Sequence, residues 1–239
     1  MPTFRHGKRT VVLLNGTDMS PYLNEATTTQ QVETAQTTTF ADSDKTYITG
    51  LGDGTISMSG LFDDTANASD SVLRGAIQQE DESLTVLPEG ATAGARSLVA
   101  NGQLTSYETT SPVGDVVAIS AEFQADGGVY TGRALNALTN TGTSASLTGV
   151  DYSASSSNGS LMNLHVTANT RNGAATIKVQ HSTDNSTWAD LVTFSAVSAS
   201  ATVGESITST GTVNRYLRAT HTLAGSSGSI TYHVSAARR

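Results

Sequence analysis

NEATTTQQVETAQTTTFADSD, residues Asn24 to Asp44, is a polar stretch with no glycine and no proline, set between two sequences that read as core strands. Its large apolar side chains are Val32 and Phe40 alone. The threonine runs Thr27–Thr29 and Thr37–Thr39 favour extended backbone, because branching at Cβ restricts χ1. A long structureless loop inside a compact domain is uncommon. The stretch therefore predicts an extended arm, spanning about 24–46, that is ordered against another copy of the chain. Its expected contact residues are Thr27, Thr28, Thr29, Gln30, Gln31, Val32, Thr37, Thr38, Thr39 and Phe40.

On the amino-terminal side, Thr10–Leu14 reads as a buried strand ended by the turn signal Asn15-Gly16, and Met19–Leu23 as a second extended piece. After the arm, Tyr47–Leu51 resumes the sheet, Gly50-Leu-Gly52-Asp-Gly54 reads as a turn, and Thr55–Phe62 alternates. Ile56, Met58, Gly60 and Phe62 share one face; Thr55, Ser57, Ser59 and Leu61 share the other. A helix is expected over about 69–80, with Ser69 or Asp70 at its start and Val72, Leu73, Ala76 and Ile77 on its apolar face. Strands follow at Leu84–Leu87, Arg96–Tyr107 and Asp115–Ala125, the last with Val117, Ile119, Ala121 and Phe123 inward. Asp126-Gly127-Gly128 is expected to turn the chain back into Val129–Arg133.

These elements predict a mainly β protein. Residues 1–137 form an antiparallel β-sandwich or half-barrel with one helix and the long arm; 138–144 form a linker. Residues 145–239 form a small carboxyl-terminal β-sandwich, Ig-like or jelly-roll-like, with strands near 145–152, 161–168, 175–181, 188–194, 207–210, 213–223 and 229–236.

Composition narrows the function classes. Charged residues make up 14% of the 239, against about 25% in ordinary globular chains, and there is no cysteine for disulfides or thiolate chemistry. The opening MPTFRHGKRT lacks the apolar core of a secretory signal, and no run approaches the ~20 apolar residues of a membrane span. A soluble protein that matures without a membrane is the expectation. Of the net charge of −8, residues 1–134 carry seven Lys/Arg against seventeen Asp/Glu (7 − 17 = −10), and residues 135–239 six against four (6 − 4 = +2). An acidic first half cannot hold nucleic acid by neutralising phosphates, but it suits a surface along which a polyanion slides.

Catalytic signals are missing. His165, His181, His221 and His233 fall in predicted strands without metal-ligand spacing and read as surface or semi-buried histidines; His6 reads as solvated. Asp63-Asp64 and Asp81-Glu82 read as solvated loop charge, and no helix or Lys-Ser/Thr follows Gly50-x-Gly52-x-Gly54 to make a phosphate loop. No catalytic, cofactor or metal residue is expected, and the chain is not expected to be an enzyme. Ser182-Thr-Asp184-Asn-Ser186-Thr187-Trp188 is similar to the S-x-D-x-G-x-T-W hairpin, one residue short and with Ser for Gly. Trp188 is there a structural tryptophan or, in the sharper alternative, a glycan contact.

VVLLNGTDMSPYLNEATTT, the arm, KTYITGLGDGTISMSGLFDDTAN and SDSVLRGAIQQ together resemble, over roughly residues 8–134, the major tail tube proteins of long-tailed, siphovirus-type bacteriophages. The second domain is similar to the decoration domains such proteins carry at the carboxyl end. The resemblance implies a virion structural protein, assembled in the host cytoplasm as homo-hexameric rings that stack into a homopolymer. It also implies tape-measure and tail-tip or terminator partners, and a lumen that conducts DNA without specific binding. On that reading Thr55, Ser57, Ser59, Glu122 and Gln124 are the lumen candidates. The alternatives are a carbohydrate-binding adhesin or receptor-binding module, and another virion part such as a capsid decoration or head–tail connector protein.

Overall fold

The computed structural model describes residues 5–239, so residues 1–4 of the basic opening stretch lie outside it. The chain is mainly β, its named strands all pair antiparallel, and one α-helix is present among the described residues. β1 (Val11–Leu14) turns through Asn15 and Gly16, both at positive φ (47° and 82°), into β2 (Thr17–Asp18). This is the hairpin geometry that Asn-Gly favours. Met19–Leu23, expected to be extended, starts with a tight turn instead: Ser20 is held by the Asp18 carboxylate, and the Tyr22 amide donates to the Met19 carbonyl. Asx-turn chemistry and Pro21 outweigh the apolar pattern there.

The next elements are β3 (Leu23–Gln36), β4 (Tyr47–Leu61), α1 (Ser69–Ala76), β5 (Glu82–Leu87), β6 (Arg96–Thr110), β7 (Ala118–Ala125) and β8 (Tyr130–Ala134). They form a nearly closed half-barrel in the order β3-β4-β7-β6-β5-β1-β2. Ile56, Met58, Leu84, Val86, Leu98, Leu104, Ile119 and Phe123 fill its interior, which α1 covers with Leu73 and Ala76. The helix is shorter than its expected span. Ser69 does not cap it; its hydroxyl donates to the Leu61 carbonyl and accepts from the Asp63 amide, tying α1 to the end of β4. Ile77 turns extended and Gln78 takes φ 65°, which ends the helix.

Two turns expected from glycines are not turns. β4 continues as a strand through Gly50-Leu-Gly52-Asp-Gly54, with a register shift opposite Val32–Thr34, and Gly52 and Gly54 remove side chains where the backbone of residues 127–129 comes close. A Cβ on Gly54 would stand 2.8 Å from the Val129 amide nitrogen. The second case is Asp126-Gly127-Gly128, where the chain does not reverse. β7 and β8 lie along the same edge of β6, with Ala125 opposite Gly102 and Tyr130 opposite Val99, so residues 126–129 are a bulge in one strand line. At that bulge the line exchanges its outer neighbour, from β4 to the carboxyl-terminal strand Ile230–Arg238. The far half of β3–β4 thereby loses its sheet and stands free.

β9 (Thr139–Thr141), β10 (Ala145–Ser146), β11 (Val150–Asp151), β12 (Ser160–Asn169), β13 (Ala175–Ser182), β14 (Ala189–Thr193), β15 (Val203–Ser209), β16 (Tyr216–Leu223) and β17 (Ile230–Arg238) make a β-sandwich. One layer is β15-β12-β17; the other is β16-β13-β14 with β10 and β11 on β16. Met162, Leu164, Val166, Ile177, Val179, Leu217 and Val234 pack between them. The stretch 138–144, expected as a linker, contains β9, which pairs with β17.

β17 also pairs with β8 (Ser235 opposite Ala134, Ala236 opposite Arg133), so a single 12-stranded sheet runs through both halves. The outer face of β12–β17 then folds over β5–β6 to form a polar seam. Asn163 donates to the carbonyls of Leu84 (3.0 Å) and Ala100 (2.9 Å). His165 and His233, expected at or near the surface, are register partners in this seam and have no exposed area. His165 accepts from the Gly16 amide through Nδ1 (3.3 Å), so its Nε2–H donates to Thr85 Oγ1 (2.9 Å). Burial drives both imidazoles far down, His165 to about 3 and His233 to about 4, and the proximity of His233 adds to the shift at His165. A strand's local pattern does not reveal that both its faces are covered, one by the sandwich core and one by the half-barrel.

Candidate functional site

The registers of β3, β4, β7 and β6 align polar residues into three rungs on the half-barrel's outer face. The first is Thr27–Ser57–Glu122–Ser106, the second Glu25–Ser59–Ser120–Glu108 and the third Thr29–Thr55–Gln124–Gln103. All five residues singled out on these strands, Thr55, Ser57, Ser59, Glu122 and Gln124, lie on this one face; Ser57 and Glu122 are exposed and the others half-buried. Ser120 joins them through the alternation of β7, whereas Glu25, Ser106 and Glu108 are brought there only by the cross-strand register. The rungs contain three glutamates and no Lys or Arg. The strands are pinned at the bulge end, where Gln124 donates to the Asp53 carboxylate at 2.6 Å. Such a face presents acceptors and negative charge to solvent and offers a phosphate backbone no cation.

Beyond the third rung the same two strands continue as a two-stranded ribbon, and residues 30–36 and 47–53 are exposed on both faces. Gln30 anchors its root by donating to the Val129 carbonyl at 2.6 Å. The expected arm is thus one side of a hairpin. Thr27, Thr28 and Thr29 belong to the rungs and their sheet; Gln30, Gln31 and Val32 lie in the ribbon; Thr37, Thr38, Thr39 and Phe40 lie in its connection. Its backbone is already paired within the chain, β3 with β4 as far as Gln36 opposite Tyr47. Asp42 closes the tip by accepting from the amide (2.7 Å) and hydroxyl (3.0 Å) of Thr39, bonds that hold its carboxyl below the usual range. What the ribbon leaves unsatisfied is apolar surface: Phe40 is fully exposed, Leu51 is 77% exposed, and Val32, Tyr47 and Ile48 are each more than half exposed. An isolated two-stranded ribbon is marginal in water, and clustered exposed apolar side chains mark an interaction site.

Trp188 lies elsewhere, at the hairpin joining β13 to β14. Asp184 accepts from the amides of Ser186 (2.9 Å) and Thr187 (2.8 Å), and Ser182 accepts from those of Asp184 and Asn185. The Arg218 guanidinium covers one face of the indole, 4.2 Å from the ring centre, and Gly149 packs against its edge. Arg218 thus occupies one face of the indole, and Trp188 as a whole is half-buried. Among the described residues no group of three His, Cys, Asp or Glu is arranged to hold a metal ion.

No family model matches the sequence, and no curated protein matches it. Among solved structures the chain is similar to one in the virion of a native gene transfer agent particle, at 15% identity over 54% of this chain and 98% of that one, with a TM-score of 0.46. It is similar to one in the tail of an empty gene transfer agent particle with C6 symmetry (15% identity, 53% and 97% covered, TM-score 0.44). It is also similar to the Dit protein of phage SPP1, described as a hub of the adsorption apparatus (13% identity, 95% and 98% covered, TM-score 0.36). All three scores are below 0.5, and the functional reading rests on the geometry above.

Proposed function

We propose that this chain is a structural, non-enzymatic subunit of a bacteriophage tail, and that it assembles as rings of six which stack into a tube. The β3-β4-β7-β6 face lines the lumen, and the ribbon joins neighbouring subunits. The observation that carries this reading is the divided character of β3–β4. Its near half belongs to a polar, cation-free wall, and its far half leaves the fold with apolar side chains uncovered. The first property suits passage of DNA, which Lys or Arg on the wall would retard through phosphate contacts. The second suits polymerisation, since ribbon and receptor are different surfaces and a heterologous contact propagates. The sandwich of residues 145–239 sits on the opposite side of the seam as an outer, integral layer. Arg218 lies over one face of Trp188, and no observation favours the glycan-binding alternative.

Assembly of the purified protein tests this directly. Sedimentation velocity over a concentration series should show monomers passing into large species, and a chain that remains monomeric at every concentration contradicts the reading.

A further inference from the structure

We infer that the ribbon of one copy docks on an arginine patch of the next copy, built where β6, β8 and β17 meet. The inference rests on the polymerising reading above and names the receptor surface. Arg96 on β6 and Arg133 on β8 are direct cross-strand partners, and both are exposed. Like charges in that position cost stability, and among the described residues neither forms an ion pair. Arg133 and Arg238 both lie against the Tyr152 ring, 5.8 and 4.7 Å from its centre, and Arg239 lies 4.8 Å from the centre of Tyr130. Of the neighbouring acids, Asp151 is already engaged by two nitrogens of Arg215, at 2.7 and 2.6 Å, and Glu89, which lines the same hollow as Arg96 and Arg133, pairs with Arg5 at 3.9 Å. A chain of net charge −8 thus gathers four arginines on one surface, Arg96 and Arg133 among them without an ion-pair partner among the described residues, with tyrosine rings between them.

The ribbon is the complement. Between Gln30 and Asp53 it carries Glu33, Asp42, Asp44 and Asp53 against Lys45 (1 − 4 = −3), alongside its exposed apolar side chains. A second exposed apolar site, Val113 and Val116 in the β6–β7 connection, competes as a receptor. It is flanked by Glu108 and Asp115, however, and repels an acidic ribbon. Charge therefore selects the arginine patch. The two surfaces do not overlap, so each copy can donate its ribbon and accept another.

The test is a charge swap in the full chain. R96E/R133E reverses the patch and E33K/D42K/D44K reverses the ribbon; circular dichroism melts check that both fold. Each variant alone should lose at least tenfold in polymer by sedimentation and negative-stain microscopy. An equimolar mixture should recover it, because each partner then supplies the complement the other lacks. Normal assembly of the patch variant beside failure of the ribbon variant overturns the inference, as does a mixture that stays unassembled. So does a patch whose reversal abolishes retention of a duplex DNA oligonucleotide while assembly is unchanged. A wild-type chain that never assembles is a different failure, which removes the polymerising reading itself.

Discussion

Acidification should weaken this fold through His165 and His233 before most carboxylates are protonated. An imidazole in the unfolded chain titrates near 6.5, whereas in the seam the two titrate at about 3 and about 4. Between those values the unfolded chain binds more protons than the native one, so stability falls as pH falls from about 6.5. Linkage at pH 4.5 gives a loss of about 2.5 kcal/mol for each imidazole, or about 5 kcal/mol for the pair. That is a large share of a stability of roughly 5–15 kcal/mol. Burial lowers His181 and His221 as well, with the same sign. Glu82 acts in the opposite direction: burial raises its carboxyl, so the native state takes up a proton there more readily and offsets part of the loss. Urea unfolding followed by circular dichroism at pH 7.5, 5.5 and 4.5 measures the effect. A loss of about 5 kcal/mol lowers the midpoint by about 1.7 M at a slope of about 3 kcal/mol per M. H165Q/H233Q should flatten this dependence whatever its stability at pH 7.5. A wild-type midpoint that is the same at pH 7.5 and 4.5, or an equal fall in the variant, refutes the reasoning.

Replacing residues 31–52 by an Asn-Gly turn removes side chains exposed on both ribbon faces, so it should cost about 1 kcal/mol or less in thermal melts and abolish polymer in sedimentation. Ser57→Lys with Glu122→Lys should leave the melt within about 0.5 kcal/mol and give assembled particles a salt-sensitive affinity for duplex DNA in filter binding; unchanged DNA binding would argue that this face does not meet DNA. Truncation after Ala137 exposes Val99, Thr85 and the β8 edge that β17 and the seam cover, and should yield an aggregating or non-cooperative chain. A cooperative melt of residues 1–137 would show that the seam is dispensable.

Much of the fold is legible in local pattern. The alternation in Thr55–Phe62 and Asp115–Ala125 assigns inward and outward residues correctly, with Ile56, Met58, Ile119 and Phe123 all buried. Asn15-Gly16 turns as its chemistry requires, and the regular spacing of strands after residue 160 produces a sandwich. The failures share a cause: glycine signals two different things. Gly50, Gly52 and Gly54 are read as a turn, but Gly52 and Gly54 clear a strand face for the backbone of residues 127–129, while Gly50 lies against Glu33 across the ribbon. The pairing of β8 with β17 and the burial of His165 depend on contacts between residues far apart in sequence, 149 positions for His165 with Gly16 and 80 for His165 with Thr85, which no local window contains. The outer face was only half visible for the same reason. Its outward residues on β4 and β7 follow from alternation, whereas Glu25, Ser106 and Glu108 join them only through register.

Negative-stain microscopy of the purified full-length chain bears most directly on the central claim. The account predicts hollow rings or tubes of uniform diameter with six-fold end views, and their loss when the ribbon is removed. Uniform single subunits at concentrations far above those of the sedimentation series, or polymers unaffected by loss of the ribbon, would contradict it.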